Sequence, residues 1–234
     1  MINVGLIGYG YWGKIIHSKL KLISDVKFIC RSKDTYVDKL DSVDWVFVVT
    51  PDNTHYRITK TCLEHGKNVF CEKPFTCNVG QAIKLYKLAE KYNVKLYVDD
   101  VFRYRTQLKE LHSVIDKEKK LKVVWNTLKS ENYLNRLTWH HLYMLYPILN
   151  GQLDIDWPRI NNITFEYGVT DKKYHEVAGI DFTHITDNTD ALLNMINGVL
   201  NHPKLIDWTY NSNTTIHSER ILGMIKDNIN RSNK

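Results

Sequence analysis

The sequence predicts an α/β chain: a Rossmann-type parallel sheet domain first, then a smaller α+β domain with a mostly antiparallel sheet. Three observations carry that expectation. Strand and helix patterns alternate through the N-terminal half, a glycine-rich turn follows the first strand, and the second half holds several strand-like runs with few helices between them.

Taken in order, Ile2 to Gly8 is a continuous apolar strand, and a helix runs from about Trp12 to Ile23. Val26 to Cys30 is a second strand and Trp45 to Thr50 a third, too apolar for a surface and therefore covered on both faces. A helix from about Asn53 to Glu64 ends at Gly66, the usual residue type for a helix stop. Asn68 to Cys71 is a short strand, Asn78 to Tyr92 an amphipathic helix and Val94 to Val98 another strand. Repeated β-α units with right-handed crossovers give a parallel sheet with helices on both sides. Arg31 to Asp44 is too short for a full helix and strand, so one β-α unit is pared away.

Beyond that point Arg103 to Lys119 reads as a helix leaving the sheet, Leu121 to Leu128 as a strand and Leu137 to Leu149 as helical. Ile160 to Val169, Tyr174 to Phe182 and Leu205 to Tyr210 read as strands, and His217 to Ile229 as a closing helix. The division expected is a dinucleotide-binding domain over 1–118 and a substrate and oligomerisation domain over 119–234, the C-terminal helix being able to pack back on the first.

At 234 residues, with 43% hydrophobic and 25% charged side chains, the chain can bury a sizeable core. Mean hydropathy is −0.37, and no apolar run approaches the roughly 20 residues that span a bilayer. Met1 to Gly10 reads as a buried strand and not as a leader. Cys30, Cys62, Cys71 and Cys77 form no C-x-x-C pair, so reduced thiols in a cytoplasmic protein are expected, with no metal site. The net charge of +6 is spread among acids apart from Lys117-Glu118-Lys119-Lys120, which suits a solvated helix end better than a nucleic-acid groove. The excess suits anionic small molecules.

Gly8-Tyr9-Gly10-Tyr11-Trp12-Gly13 fits G-x-G-x-x-G and lies after a strand and at the start of a helix. Gly8 permits the tight turn, Gly10 lets backbone approach a pyrophosphate, and Gly13 allows close helix–strand packing. The helix N-terminus offers free N–H groups and a positive dipole end to the phosphates. These features point to a bound dinucleotide. After the second strand, an NAD site places Asp or Glu against the ribose 2′-hydroxyl. Here the chain reads Cys30-Arg31-Ser32-Lys33, with no acid until Asp34. Arg31 can grip a 2′-phosphate bidentately and Ser32 can add a hydrogen bond, so NADP(H) is favoured, with NAD(H) possible.

From Val4 to Tyr104 the sequence resembles the Gfo/Idh/MocA family (glucose–fructose oxidoreductase, inositol dehydrogenase and relatives). The residues that carry the resemblance are Gly8 to Lys14, Thr50-Pro51-Asp52-Asn53-Thr54-His55-Tyr56, and Gly66 to Pro74 with its Glu72-Lys73-Pro74. The G-Y-W-G turn, with Val101-Phe102-Arg103-Tyr104 downstream, looks most like members acting on nucleotide-linked amino sugars. The resemblance implies that Lys73 lies near nicotinamide and substrate as acid or base, that Glu72 helps position it, and that Pro74 follows a cis peptide bond. It implies that Thr50, Pro51, Asn53 and His55 form the loop over the cofactor, beside Tyr9, Tyr11 and Trp12 of the turn. It also implies a homo-oligomer, formed through the outer face of the second sheet.

The pattern breaks in the second half. Family members carry D-x-x-x-H on the helix entering the second domain, and here the stretch is Asn135-Arg136-Leu137-Thr138-Trp139-His140-His141-Leu142. Arg136 stands four before His140 and Leu137 four before His141, so the carboxylate is absent in either register. Adjacent helical residues point about 100° apart, so only one of the two histidines can face the cleft. His-His-Leu favours His140, and counting back from Gly151 favours His141. Tyr143 or Tyr104 could stand in for the missing acid.

The expectation is an NADP(H)-dependent oxidoreductase moving hydride to or from a sugar, most plausibly a nucleotide sugar or keto-sugar. The alternatives are a catalytically silent dinucleotide-binding regulator or structural protein, and a reductase of a non-sugar substrate such as a linear tetrapyrrole.

Overall fold

A computed structural model describes the chain except residues 32–33, 77, 117, 129–132, 185–189 and 233–234. Two sheets organise it. The first is built from β1 (Asn3–Ile7), β2 (Asp25–Cys30), β3 (Trp45–Val48), β4 (Asn68–Cys71) and β5 (Leu96–Val98), all parallel, in the order β2-β1-β3-β4-β5. Helices α1 (Tyr11–Ile23), α2 (Asp52–Glu64) and α3 (Val79–Lys91) connect them, and the shortened crossover between β2 and β3 is a single 3-10 segment, Val37–Ser42.

Why β3 reads as uniformly apolar is visible in its neighbours. Trp45, Phe47 and Val49 belong to one buried cluster, with α1, while Val46 and Val48 belong to the other, with α2 and α3. Successive side chains of a strand point to opposite faces, so a strand covered on both sides has no polar positions to offer. The same alternation splits Phe70 from Val69 and Cys71 in β4, and Tyr97 from Leu96 and Val98 in β5. Phe47 stacks on Phe70 at 4.7 Å and Phe70 on Tyr97 at 5.9 Å, so one face of the sheet is an aromatic row.

After β5 the chain makes a 3-10 turn, Val101–Tyr104, and a helix α4 (Thr106–Val114), shorter than the helix expected over Arg103 to Lys119. The second sheet has the order β11-β10-β6-β9-β8-β7, from β6 (Leu121–Thr127), β7 (Ile155–Asp156), β8 (Arg159–Ile160), β9 (Ile163–Val169), β10 (Tyr174–Val177) and β11 (Ile180–Asp181). Only β6 with β9 is parallel; the other pairs are antiparallel. Between β6 and β7 lie a π-helical turn, Tyr133–Leu137, then α5 (Thr138–Met144) and α6 (Tyr146–Leu149).

The C-terminal quarter departs from the expectation. A helix α7 (Ala191–Asn201), absent from the sequence reading, packs on α1 and closes the aromatic face of the first sheet with Met195, Ile196, Val199 and Leu200. Leu205 to Tyr210 is not a strand. It holds the end of a 3-10 turn, Pro203–Leu205, and the start of α8 (Trp208–Ser232), where the Asp207 carboxylate accepts from the Tyr210 amide at 2.8 Å in the manner of a helix cap. That helix, 25 residues long, runs back across α3 and β5 and also meets α5. No described helix is long and apolar enough to cross a membrane.

Candidate active site

The C-terminal ends of β1 and β3 open onto a cleft of about 1220 Å³ whose far wall is β6 and the turn before α5. This is where open parallel sheets hold ligands, outside the carboxyl ends of strands that diverge to either side. Gly8, Tyr9, Gly10, Tyr11, Trp12, Arg31, Thr50, Pro51, Lys73 and His140 all line it.

The glycine turn fits a pyrophosphate on geometric grounds. Gly8 has φ +103°, and a Cβ there would meet the Val49 carbonyl oxygen at 2.2 Å. A Cβ on Gly13 would meet the Gly8 carbonyl oxygen at 2.1 Å, so α1 can leave β1 this closely only through glycine. At Gly10, by contrast, a Cβ would have nothing within 4 Å. Gly10 is also the N-cap of α1, with no side chain capping the helix, so the first-turn N–H groups face the cleft mouth. The residues present therefore suit a dinucleotide.

Arg31 is exposed at the end of β2, with its guanidinium 5.8 Å from the Tyr9 ring. Its backbone N–H donates to the Asp34 carboxylate at 2.7 Å, which ties Asp34 to the loop. Ser32 lies outside the described residues.

Two expected loop residues do not line the cleft. Asn53 is exposed on the first turn of α2. His55 is buried, and its ring bridges two loops: Nε2 lies 2.8 Å from the Thr50 carbonyl oxygen and Nδ1 2.9 Å from that of Pro74. His55 thus clamps the Thr50 loop to the segment that carries Lys73.

Lys73 precedes a cis peptide bond to Pro74, and its ammonium donates to the Arg136 carbonyl at 3.3 Å across the cleft. Glu72 is buried behind it and accepts from the Lys73 backbone N–H at 3.2 Å. Burial first, then the charge of Asp99, pushes the Glu72 carboxyl well above the usual carboxylate range. Glu72, hydrogen-bonded to Asp99, braces the turn from behind.

Of the paired histidines, His140 lines the cleft and His141 does not. His141 is fully buried, with Nδ1 2.9 Å from the Tyr167 hydroxyl and Nε2 2.9 Å from Nε2 of His175. His140 packs edge-on against Phe102 at 4.8 Å, with Nδ1 3.2 Å from the Tyr143 hydroxyl. That hydroxyl accepts from the Phe102 amide at 3.1 Å, which holds it against the His140 ring. Burial, then Lys73, holds the His140 imidazole well below its ordinary pKa, and it is neutral at neutral pH. Tyr104 lies elsewhere, its hydroxyl 3.2 Å from that of Tyr97. The sequence reading did not single out Trp125, Asn126, Thr127, Leu128 and Lys173, which complete the far wall. Strand alternation marks β6 without telling which of its ends meets a cleft.

Fold and site together define an α/β protein with a Rossmann-type parallel sheet and a second, mostly antiparallel sheet across a cleft whose residues suit a dinucleotide. Residues 19–100 match the family model described as oxidoreductase family, NAD-binding Rossmann fold (GFO_IDH_MocA). The uncharacterized oxidoreductase YdgJ of Escherichia coli is 34% identical over 110 residues, which span 38% of this chain and 31% of that protein. The UDP-N-acetylglucosamine 3-dehydrogenase of Acidithiobacillus ferrooxidans is 25% identical over 47% of this chain and 40% of its own length. The solved structure of that enzyme superposes with a TM-score of 0.79 at 15% identity, covering 97% of each chain. The sequence matches thus span well under two thirds of these relatives, whereas the fold is shared nearly throughout.

Proposed function

We propose that this chain is an NADP(H)-dependent oxidoreductase that moves a hydride to or from a sugar, in the form of a nucleotide sugar or keto-sugar. The observation that carries the reading is one cleft holding the uncapped N-terminus of α1 at Gly10, the Lys73 ammonium and the His140 ring. Support for the substrate class comes from relatives whose names state inositol, xylose and UDP-N-acetylglucosamine dehydrogenases. Support for NADP(H) comes from Arg31 at the end of β2.

A nicotinamide bound here supplies the hydride acceptor or donor. The chain supplies the proton. In the oxidising direction the C–H electron pair leaves as hydride while the hydroxyl proton passes to Lys73, whose ammonium has first released a proton to solvent; reduction reverses both transfers. With Nδ1 3.2 Å from the Tyr143 hydroxyl, the His140 ring is held so that Nε2 can hydrogen-bond the same oxygen. Tyr143 is thus a positioning residue, taking over the orienting part of the absent carboxylate. Cys30, Cys62 and Cys71 are buried free thiols, in keeping with a cytoplasmic setting. A homo-oligomer completes the reading.

The test is a fluorescence titration with NADPH and NADH, followed by turnover on a panel of sugars. Lys73→Met is expected to keep NADPH binding and lose at least about 10²-fold in kcat. Tyr143→Phe is expected to lower kcat with little change in KM and to alter its pH profile. Cofactor binding without turnover of any sugar would favour the silent regulator, the reading that Arg136 in place of the family's Asp supports. Binding of neither cofactor would sink both.

A further inference from the structure

The charge of the cleft goes further than a dinucleotide requires. Arg31, Lys73, Arg136 and Lys173 line it, and no Asp or Glu does among the described residues. Arg31 stands by Tyr9 at the β2 end, where a 2′-phosphate would lie, and Lys73 is the proton carrier. Arg136 and Lys173 remain, and both belong to the opposite wall.

Arg136 lies beside the reacting centre and Lys173 on the same wall. The Arg136 carbonyl takes the 3.3 Å hydrogen bond from Lys73, so its exposed side chain leaves the backbone next to the proton carrier. Lys173 immediately precedes β10, and Tyr174 pairs with Asn126 of β6, which sets Lys173 alongside Thr127 on the same wall. The acids on β9, β10 and β11 are engaged elsewhere. Glu176 binds the Tyr174 hydroxyl, Glu166 pairs with Lys122 at 2.9 Å, and the Asp181 carboxylate accepts from the Thr183 amide at 2.6 Å and lies 3.3 Å from His184. His140 adds no charge at neutral pH. Two cations in a partly enclosed cleft, with no acid lining it among the described residues, attract an anion more strongly than the same pair on an open surface.

We infer that Arg136 and Lys173 form an anion subsite next to Lys73, and that the substrate is a sugar carrying a carboxylate or a phosphoester. The word substrate rests on the oxidoreductase reading above; the subsite itself does not. Four residues before the cleft histidine, where the resemblance implies a carboxylate, Arg136 presents a guanidinium. A planar guanidinium suits two oxygens of one carboxylate or phosphate.

The experiment is a calorimetric titration of protein saturated with NADPH, so that the anion site at α1 is already filled. The probes are glucuronate, glucose 1-phosphate and glucose, at low salt, against the wild type and the double variant Arg136→Gln/Lys173→Gln. Both side chains are exposed, and far-UV circular dichroism confirms that the variant is folded. At least one anionic sugar is expected to bind about tenfold or more tightly than glucose, with the preference lost in the double variant. The probe that binds tells carboxylate from phosphoester. Equal affinity for all three probes, or a preference that survives the double substitution, would overturn the subsite. Should NADPH fail to bind, the oxidoreductase reading falls on its own. The same comparison on cofactor-free protein then still decides the subsite.

Discussion

At the scale of single residues, the glycines of one turn answer different demands, and the difference can be measured. Gly13 is fixed by packing, since a Cβ there would sit 2.1 Å from a backbone oxygen that no rotamer change can move. Gly10 has an ordinary backbone, φ −78° and ψ −157°, and open space where a Cβ would go. Gly13→Ala is therefore expected to cost about 1–3 kcal/mol of stability, the range for overpacking. Gly10→Ala should leave the melting temperature within about 2–4 °C of wild type while weakening NADPH binding about tenfold or more, because its methyl enters the space left for the pyrophosphate. Thermal melts and a cofactor titration on both variants check this, and the reverse pattern would contradict the roles assigned. The turn itself was legible because its constraints are local and backbone-based. The choice between His140 and His141 was not, since it depends on where α5 begins, after a π-helical turn that shifts the register.

Among the elements, the edge of the first sheet is closed by a side chain in place of a strand. The amide of Asn211, on α8, accepts from the Val98 N–H at 3.1 Å and donates to the Val98 carbonyl at 2.8 Å, as a neighbouring strand would. It also lies 3.2 Å from the Asp100 carboxylate. All of this is buried, so Asn211→Ala strands polar groups without water, at a cost of about 2–4 kcal/mol. Urea denaturation should show a lower midpoint with an unchanged slope. A loss under about 0.5 kcal/mol would mean that water replaces the amide. The strands and helices up to β5 were readable because each carries its own period and stop signal, such as Gly66 after α2. Helix α7 was missed although Ala191, Met195, Ile196, Val199 and Leu200 share a face, and the capping residues Asp190 and Asp207 were not used as start signals. Ile206 and Trp208 read as strand residues because their apolar character is visible in the sequence and their partner, the aromatic face of a sheet formed far earlier in the chain, is not.

For the whole molecule, proton linkage gathers the buried histidines and acids into one stability profile. His140, His141 and His175 are held below their ordinary pKa by burial, His175 at about 3. Such a histidine stays neutral in the folded chain while the unfolded chain takes up a proton below about pH 6.5. Its contribution is complete above that pH and is lost as pH falls toward the folded value, by up to about 1.4 kcal/mol per pH unit. Buried acids work the other way. Asp100 is pushed up to about 6 and Glu72 well above its usual range, both mainly by burial, so the folded chain keeps protons that the unfolded chain releases. Stability returns through them as pH falls from about 6 toward about 4. The two groups oppose each other below pH 6, so the wild-type profile there is shallower than three histidines alone would give. His175 can be isolated from that sum. It is buried, stacked on Trp125 at 4.0 Å and joined to His141 through their Nε2 atoms. Whatever His175→Phe costs at pH 8, it removes one proton from the linkage. The slope of unfolding free energy against pH between 6 and 4 should therefore fall by up to about 1.4 kcal/mol per pH unit relative to wild type. Urea unfolding at several pH values measures it. An unchanged slope would mean that His175 takes up its proton equally in the folded and unfolded chain, which its burial among Phe102, Trp125 and Phe182 argues against.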